Sequence, residues 1–263
     1  MSRIPLTRWT VVRAVDLTRS MRRLVLTSDD FDAFVERWNG DTDAYVKLAF
    51  VTGGSDEPVL RTYTVRRFDR ESRQIWIDFV VHGDEGLAGP WARAAEPGAT
   101  IDLRGPGSGY RPDPEADHHL FVGDEAGWPA VAASLEALHA GARATAFVEV
   151  DGSGDEQDVE TAADVDLRWL RRAPAAAGTT SLLDEAVRAW AWPEGRVRVF
   201  VHGESALLKT VRPYVKERGV ERADLSVSAY WRRGVTEEGF RAWKAEQRAA
   251  GDPVVVRPEQ GDA

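Results

Sequence analysis

The chain changes its rhythm once, and the change falls on a stretch poor in both helix and sheet formers. Gly105 to Pro114 reads GPGSGYRPDP, with three prolines and three glycines in ten residues. Proline removes a backbone donor, and glycine loses the most conformational freedom on folding. Short apolar-alternating runs precede this stretch, and apolar runs alternating with helical ones follow it. The pattern predicts two bodies, residues 1–113 and 114–263.

The first part reads as β. Candidate strands are Trp9 to Val15, Met21 to Thr27, Tyr45 to Val51, Leu60 to Phe68, Gln74 to His82 and Thr100 to Arg104. Gly, Asp and Pro residues separate them. A helical stretch from about Phe31 to Trp38 interrupts them. In QIWIDFVVH, Ile75, Ile77, Phe79 and Val81 share one face, and Trp76, Asp78, Val80 and His82 the other. Many short strands before any long helix predict an antiparallel barrel or sandwich.

The second part reads as parallel α/β, because strands and helices alternate. Strands are expected at His119 to Gly123, Ala144 to Val150, Val197 to His202 and Leu225 to Tyr230. Helices are expected at Trp128 to Ala140 and Ala206 to Arg218. Pro129 suits a first helical turn, and Gly141 and Gly219 suit helix ends. Glu149 to Asp166 holds eight acids and no Lys or Arg, and reads as a solvated loop. A C-terminal helix and a frayed tail close the chain.

Composition removes several chemistries. Cysteine is absent, so no thiolate metal site, iron–sulfur ligation or cysteine nucleophile exists. The net charge of −9 offers no general field for nucleic acid. No apolar run approaches the roughly 18 residues of a membrane span. The N-terminus lacks a secretory apolar segment, so the expectation is a cytoplasmic protein without a membrane span. His118 and His119 point to opposite faces of one strand, which gives no metal site. No serine sits in a nucleophile elbow.

Four segments carry candidate chemistry. The first is Arg61-Thr62-Tyr63-Thr64, at the start of a strand. A flavin needs a cation for its pyrophosphate, an aromatic surface for its ring and hydroxyls for its polar edge. Arg61, Tyr63 and Thr64 offer one of each, although the run is also an ordinary solvent-facing strand. The second is HGDEGLAGPWA, from His82 to Ala92. Gly86, Ala88 and Gly89 let backbone amides approach a phosphate near a helix start. A plain turn and capped helix is the alternative. The third is VGDEAGWPA, from Val122 to Ala130, at the carboxyl edge of a parallel strand where ligands collect. Its Asp124 and Glu125 fit a helix cap equally well. The fourth is SAYWRRGVTEEGFRAWK, where Tyr230 and Trp231 face either a cofactor or a domain interface.

Taken together, these segments make the chain resemble the siderophore-interacting protein family of FAD-dependent ferric-siderophore reductases, relatives of ferredoxin-reductase-like flavoproteins. The resemblance runs from about Arg8 to Lys244. The family's Arg-x-Tyr-Thr is matched by Arg61, Tyr63 and Thr64. Its strand into His-Gly and phosphate loop is matched by His82, Gly83, Gly86, Ala88, Pro90 and Trp91, with Leu87 and Gly89 replacing a Pro and a Ser. Its Gly-Asp-Glu segment is matched by Gly123, Asp124, Glu125, Pro129 and Ala130, with Ala126 in place of a Thr. Its Tyr-Trp-Arg-x-Gly is matched by Tyr230, Trp231, Arg232 and Gly234.

The resemblance implies an FAD-binding antiparallel β-barrel followed by a parallel α/β nucleotide-binding domain. It implies FAD held by Arg61, Tyr63, Thr64, Asp78, Val80, His82, Gly86, Ala88, Gly89, Trp91, Asp124, Glu125, Tyr230 and Trp231. NADH or NADPH, or a ferredoxin, would supply electrons to a ferric siderophore. Lys47, Arg232, Arg233, Arg241 and Lys244 are candidates for a cationic rim that captures an anionic chelate. Residues 201–248 do hold ten basic against seven acidic side chains. Arg171 and Arg172 are candidates for a 2′-phosphate contact, and surface ion pairs are their alternative. No catalytic acid or nucleophile is expected, and the chain is expected to be a monomer. The rival readings are another flavin-dependent reductase of the same architecture and a non-catalytic module that binds a chelate or nucleotide.

Overall fold

The computed structural model describes residues 4–52, 57–83, 86–251 and 255–256. It divides into two units, Met1–Arg111 and Pro112–Ala263.

The first unit is a closed six-stranded antiparallel barrel. Its strands are β1 (Thr7–Asp16), β2 (Met21–Thr27), β3 (Tyr45–Phe50), β4 (Val59–Asp69), β5 (Gln74–Val80) and β6 (Thr100–Gly107). Their order is β1-β2-β5-β4-β3-β6. The alternation in QIWIDFVVH sends Ile75, Ile77 and Phe79 into the barrel core, which also holds Trp9, Leu24, Leu26, Val46 and Leu48. Closing so few strands requires sharp bending, and register shifts fall at Val11/Arg13, Tyr45/Lys47 and Val65/Arg67. Two helices attach: α1 (Phe31–Val35) and α2 (Ala88–Ala94). Trp9 packs edge-on against Phe34 of α1, with ring centroids 4.9 Å apart. Ala88 and Ala92 of α2 are buried in the barrel core.

The second unit is a six-stranded sheet. Its strands are β7 (His118–Asp124), β8 (Arg143–Val150), β9 (Asp164–Arg171), β10 (Val197–Glu204), β11 (Leu225–Trp231) and β12 (Val255–Val256). The order is β12-β11-β10-β7-β8-β9, parallel except for β12. Its helices are α3 (Trp128–Glu136), α4 (Leu182–Ala189), α5 (Ser205–Glu217) and α6 (Glu237–Ala249). Leu120, Val122, Val199, Val201 and Val227 form one core layer with Leu183, Val187, Leu208, Val211 and Val215 of α4 and α5. From β7 the chain builds outward to β9 and then returns to β10 on the other side. That reversal makes the carboxyl ends of β7 and β10 the topological switch point of the sheet, where ligands of open α/β folds collect.

Several expectations are corrected. Helix α1 stops at Val35 and α3 at Glu136, earlier than the apolar pattern indicates. Strand β6 continues through Gly105 to Gly107. Gly105 has φ of 153°, and a Cβ there would meet the Tyr45 carbonyl at 3.0 Å. The acidic stretch is not all loop, because Glu149 ends β8 and Asp164 begins β9. In β9, Asp164, Asp166 and Arg168 are exposed and alternate with half-buried Val165, Leu167 and Trp169. It is a charged edge strand, whose polarity hides the period of two. The predicted tail concerns mainly 252–254 and 257–263, which lie outside the described residues. Among the described residues, no helix is long and apolar enough to cross a membrane.

Candidate functional site

The four sequence segments assemble into two clusters, one in each unit. In the barrel, Tyr63 of β4 packs on Phe79 of β5, with centroids 4.5 Å apart. Phe79 also meets Trp91 of α2 at 5.8 Å, and Trp91 meets Phe50 of β3 at 5.9 Å. The Arg-Thr-Tyr-Thr strand and the Gly-Pro-Trp helix start are thus neighbours through one buried phenyl ring. Arg61 and Tyr63 are partly buried and share a strand face; Thr64 is buried on the other.

Between β5 and α2, Gly86 adopts φ of 84°, and a Cβ there would meet nothing within 4 Å. That left-handed conformation suits glycine, and the open space leaves the backbone approachable. Asp84 and Glu85 lie outside the described residues. Helix α2 begins at Ala88, so the Ala88 and Gly89 amides precede its first internal bond, from Trp91 N–H to the Leu87 carbonyl at 3.2 Å; Pro90 has no amide hydrogen. Val80 is half-buried and His82 exposed. Asp78 differs from its expected role as a cofactor contact. Its side chain is 0% exposed and takes a bidentate pair from Arg23 at 2.6 and 2.7 Å. That carboxylate is an internal tie between β5 and β2.

In the second unit, Asp124 at the end of β7 uses all four of its acceptor positions inside the protein. Oδ1 accepts the amides of Ala126 (2.9 Å) and Gly127 (3.1 Å). Oδ2 accepts the Glu204 amide (2.9 Å) and the Trp231 indole N–H (2.7 Å). This one carboxylate therefore joins β7, the start of α3, β10 and β11. Sequence allowed either a ligand contact or a helix cap; the carboxylate instead closes the turn before α3, whose own N-cap, Gly127, takes no side-chain cap bond, and it fixes Trp231 as well. Burial pushes its carboxyl up to about 6, against the pull of the four hydrogen bonds.

A raised carboxyl means that the native chain binds the proton more readily than the unfolded one, whose ordinary value is 3.8. The Asp124 contribution to stability therefore falls as pH rises from about 4 to about 6, and is level above that. Relative to an Asp124→Asn variant, the native chain should gain up to about 3 kcal/mol between pH 7.5 and pH 4. Urea unfolding of both at the two pH values checks this; a pH-independent difference rejects it.

Glu125 is engaged too. Arg172 Nη2 lies 2.9 Å from its Oε2 and 3.6 Å from Asp151 Oδ1. Arg171 pairs with Glu156 at 2.6 Å. Arg171 thus takes the surface ion-pair alternative, whereas Arg172 forms a buried pair that neither reading described. Tyr230 reaches a residue that motif reasoning missed, His202 of β10, whose Nδ1 lies 3.0 Å from the Tyr230 hydroxyl.

The rim candidates separate. Lys47 is exposed on β3 of the barrel unit. In the second unit, the Arg232 guanidinium lies over the Trp243 ring at 4.7 Å. Arg241 pairs with Glu237 at 3.5 Å. Lys244 donates to the Ala229 carbonyl at 3.1 Å and lies over Phe240. Arg233 is exposed, and among the described residues its guanidinium has no ion pair; its backbone amide donates to Glu204 at 3.1 Å. Among the described residues no metal-binding cluster of His, Cys, Asp and Glu occurs.

Comparison with known proteins adds the following. A family model for a siderophore-interacting FAD-binding domain matches residues 51–110, and one for a siderophore-interacting protein matches residues 116–234. An uncharacterized protein of Mycobacterium tuberculosis is 43% identical over 92% of this chain and 95% of its own. The ferric vibriobactin reductase ViuB of Vibrio cholerae is 31% identical over 87% of this chain and 90% of its own. The crystal structure of a siderophore utilization protein from T. fusca superposes with a TM-score of 0.81 at 35% identity, covering 90% of this chain and 96% of that one.

Proposed function

The chain belongs to the siderophore-interacting protein family, and on that premise we propose that it is an FAD-dependent reductase of ferric siderophores. The observation that carries the reading is the Tyr63–Phe79–Trp91 contact. It brings the Arg-Thr-Tyr-Thr strand and the glycine-rich turn together within the barrel.

The residues present fit FAD. Arg61 supplies the cation for the pyrophosphate, and Tyr63 an aromatic surface. Gly86, Ala88 and Gly89 supply approachable backbone. Trp91 packs on Phe79, the Val80 carbonyl lies beside Gly89, and His82 precedes the turn in sequence. Asp78, Asp124 and Glu125 act by holding strands and Trp231 in place. FAD, when bound, would supply the conversion of a two-electron reductant into single-electron steps. The protein's own work is binding, orientation and exclusion of water; no side chain is asked to act as a nucleophile. The ferric chelate is the substrate, and ferrous iron is held less tightly by hard-oxygen chelators. Lys47 on the barrel unit and Arg233 on the second unit are each an exposed cation suited to capturing the chelate. NADH, NADPH or a ferredoxin is the electron source.

The purified chain should show flavin absorbance that bleaches with its reductant and recovers on adding ferric chelate. A colourless chain that takes up no FAD would reject the reading. Arg61→Ala should weaken FAD binding about 10- to 100-fold, the worth of one charge-assisted hydrogen bond or a little more. Quenching of flavin fluorescence on titration measures this, and an unchanged Kd removes Arg61 from the pyrophosphate site.

A further inference from the structure

Strand β10 carries a buried histidine that the proposed function does not use. His202 is 2% exposed. Its Nδ1 lies 3.0 Å from the Tyr230 hydroxyl, and its Nε2 lies 2.9 Å from Ser226 Oγ. The register explains how one ring reaches both. His202 is paired with Ser228 in the parallel ladder, so Ser226 and Tyr230 flank its partner on the same face of β11. The imidazole stacks on Phe200 at 3.6 Å and meets the Tyr230 ring edge-on at 5.1 Å. Each ring nitrogen has a hydroxyl partner, and a hydroxyl can donate or accept, so the neutral ring is satisfied in either tautomer. The Tyr230 ring is thereby held at both its edge and its hydroxyl.

We propose that His202, braced by Ser226, is a positioning residue that fixes the Tyr230 ring at the carboxyl edge of the α/β sheet, where it meets a planar cofactor ring. The inference rests on the reading of Tyr230 as a cofactor contact. Tyrosine at a strand end normally keeps rotamer freedom, and a ring already fixed loses less entropy when a ligand packs on it.

Two replacements of similar polarity separate the clamp from general packing. In His202→Asn the amide sits where Nδ1 was, near the Tyr230 hydroxyl. In His202→Gln it sits where Nε2 was, near Ser226. Two readouts are needed on the full chain: thermal unfolding without FAD, and the FAD Kd by flavin fluorescence. His202→Gln and Tyr230→Phe should each weaken FAD about 3- to 10-fold, the range of one lost hydrogen bond. The double variant should be no weaker than either single, and His202→Asn should stay within about twofold of the native chain. Without FAD, the same pair should show non-additive effects on unfolding.

Additive unfolding effects without FAD would overturn the clamp. Non-additive unfolding with an unchanged FAD Kd would overturn its role toward the cofactor. Equal losses in the Asn and Gln variants would overturn the assignment to Nδ1. A native chain that binds no FAD would overturn the proposed function, while the unfolding cycle would still decide the clamp.

Discussion

Replacing Gly127 with alanine should cost the chain about 3 kcal/mol or more of stability, near the top of the range for overpacking. The reason is contact rather than conformation, because Gly127 has φ of −80°, open to any residue. An added Cβ would lie 2.3 Å from the His202 carbonyl oxygen and 3.2 Å from its carbon. Both are backbone atoms of a central strand, so neither can swing aside. Gly123 makes the same approach from β7, where a Cβ would meet that oxygen at 3.0 Å. The start of α3 therefore rests on β10 through Gly127, with Gly123 of β7 against the same carbonyl, and Asp124 holds it there through the Ala126 and Gly127 amides. Gly86→Ala is the control, since its Cβ would meet nothing and only the φ of 84° is unfavourable. That change should cost about 1 kcal/mol. Urea unfolding followed by tryptophan fluorescence compares the two; a Gly127→Ala loss below that of Gly86→Ala would mean that α3 can shift off the sheet.

What the sequence disclosed follows from the range of each interaction. The barrel strands were legible because their period of two is local: Ile75, Ile77 and Phe79 declare the core face of β5 unaided. Strand β9 was not, because an edge strand with acids on its open side looks like a loop. The candidate segments were legible as motifs, yet their partnerships were not. Nothing local tells that Asp124 meets Trp231, 107 residues away, or that Asp78 meets Arg23. These are cross-strand contacts, set by sheet order. His202 left one usable trace. It follows directly on Val199, Phe200 and Val201, and a polar ring on a central strand must find hydrogen-bond partners. Its partners, 24 and 28 residues on, required the pairing of β10 with β11.

The second large effect is expected at Arg172. Its side chain is 8% exposed, and it is the cation set against Glu125 and Asp151. Glu149 stands in the same group; burial, more than any other cause, pushes its carboxyl up, while Thr180 and Arg172 pull it down and Glu125 pushes it up. Arg172→Met keeps most of the stem but removes the cation set against buried Glu125, partly exposed Asp151 and buried Glu149. Breaking a buried pair from one side costs about 3 to 5 kcal/mol. The pair itself is worth less than that, because Arg172 Nε and Nη1 are buried without hydrogen-bond partners. Arg172→Met with Glu125→Gln should therefore recover much of the loss. The sign with pH follows from Glu149. Its native carboxyl sits above its ordinary 4.5, so the native state holds the proton where the unfolded state has released it. Stability then falls as pH rises through that window, and removing Arg172 widens the window upward. The Arg172→Met deficit should be larger at pH 8 than at pH 5, where protonation relieves the repulsion. Equal deficits at the two values would show that Arg172 acts through packing of its stem and not through its charge.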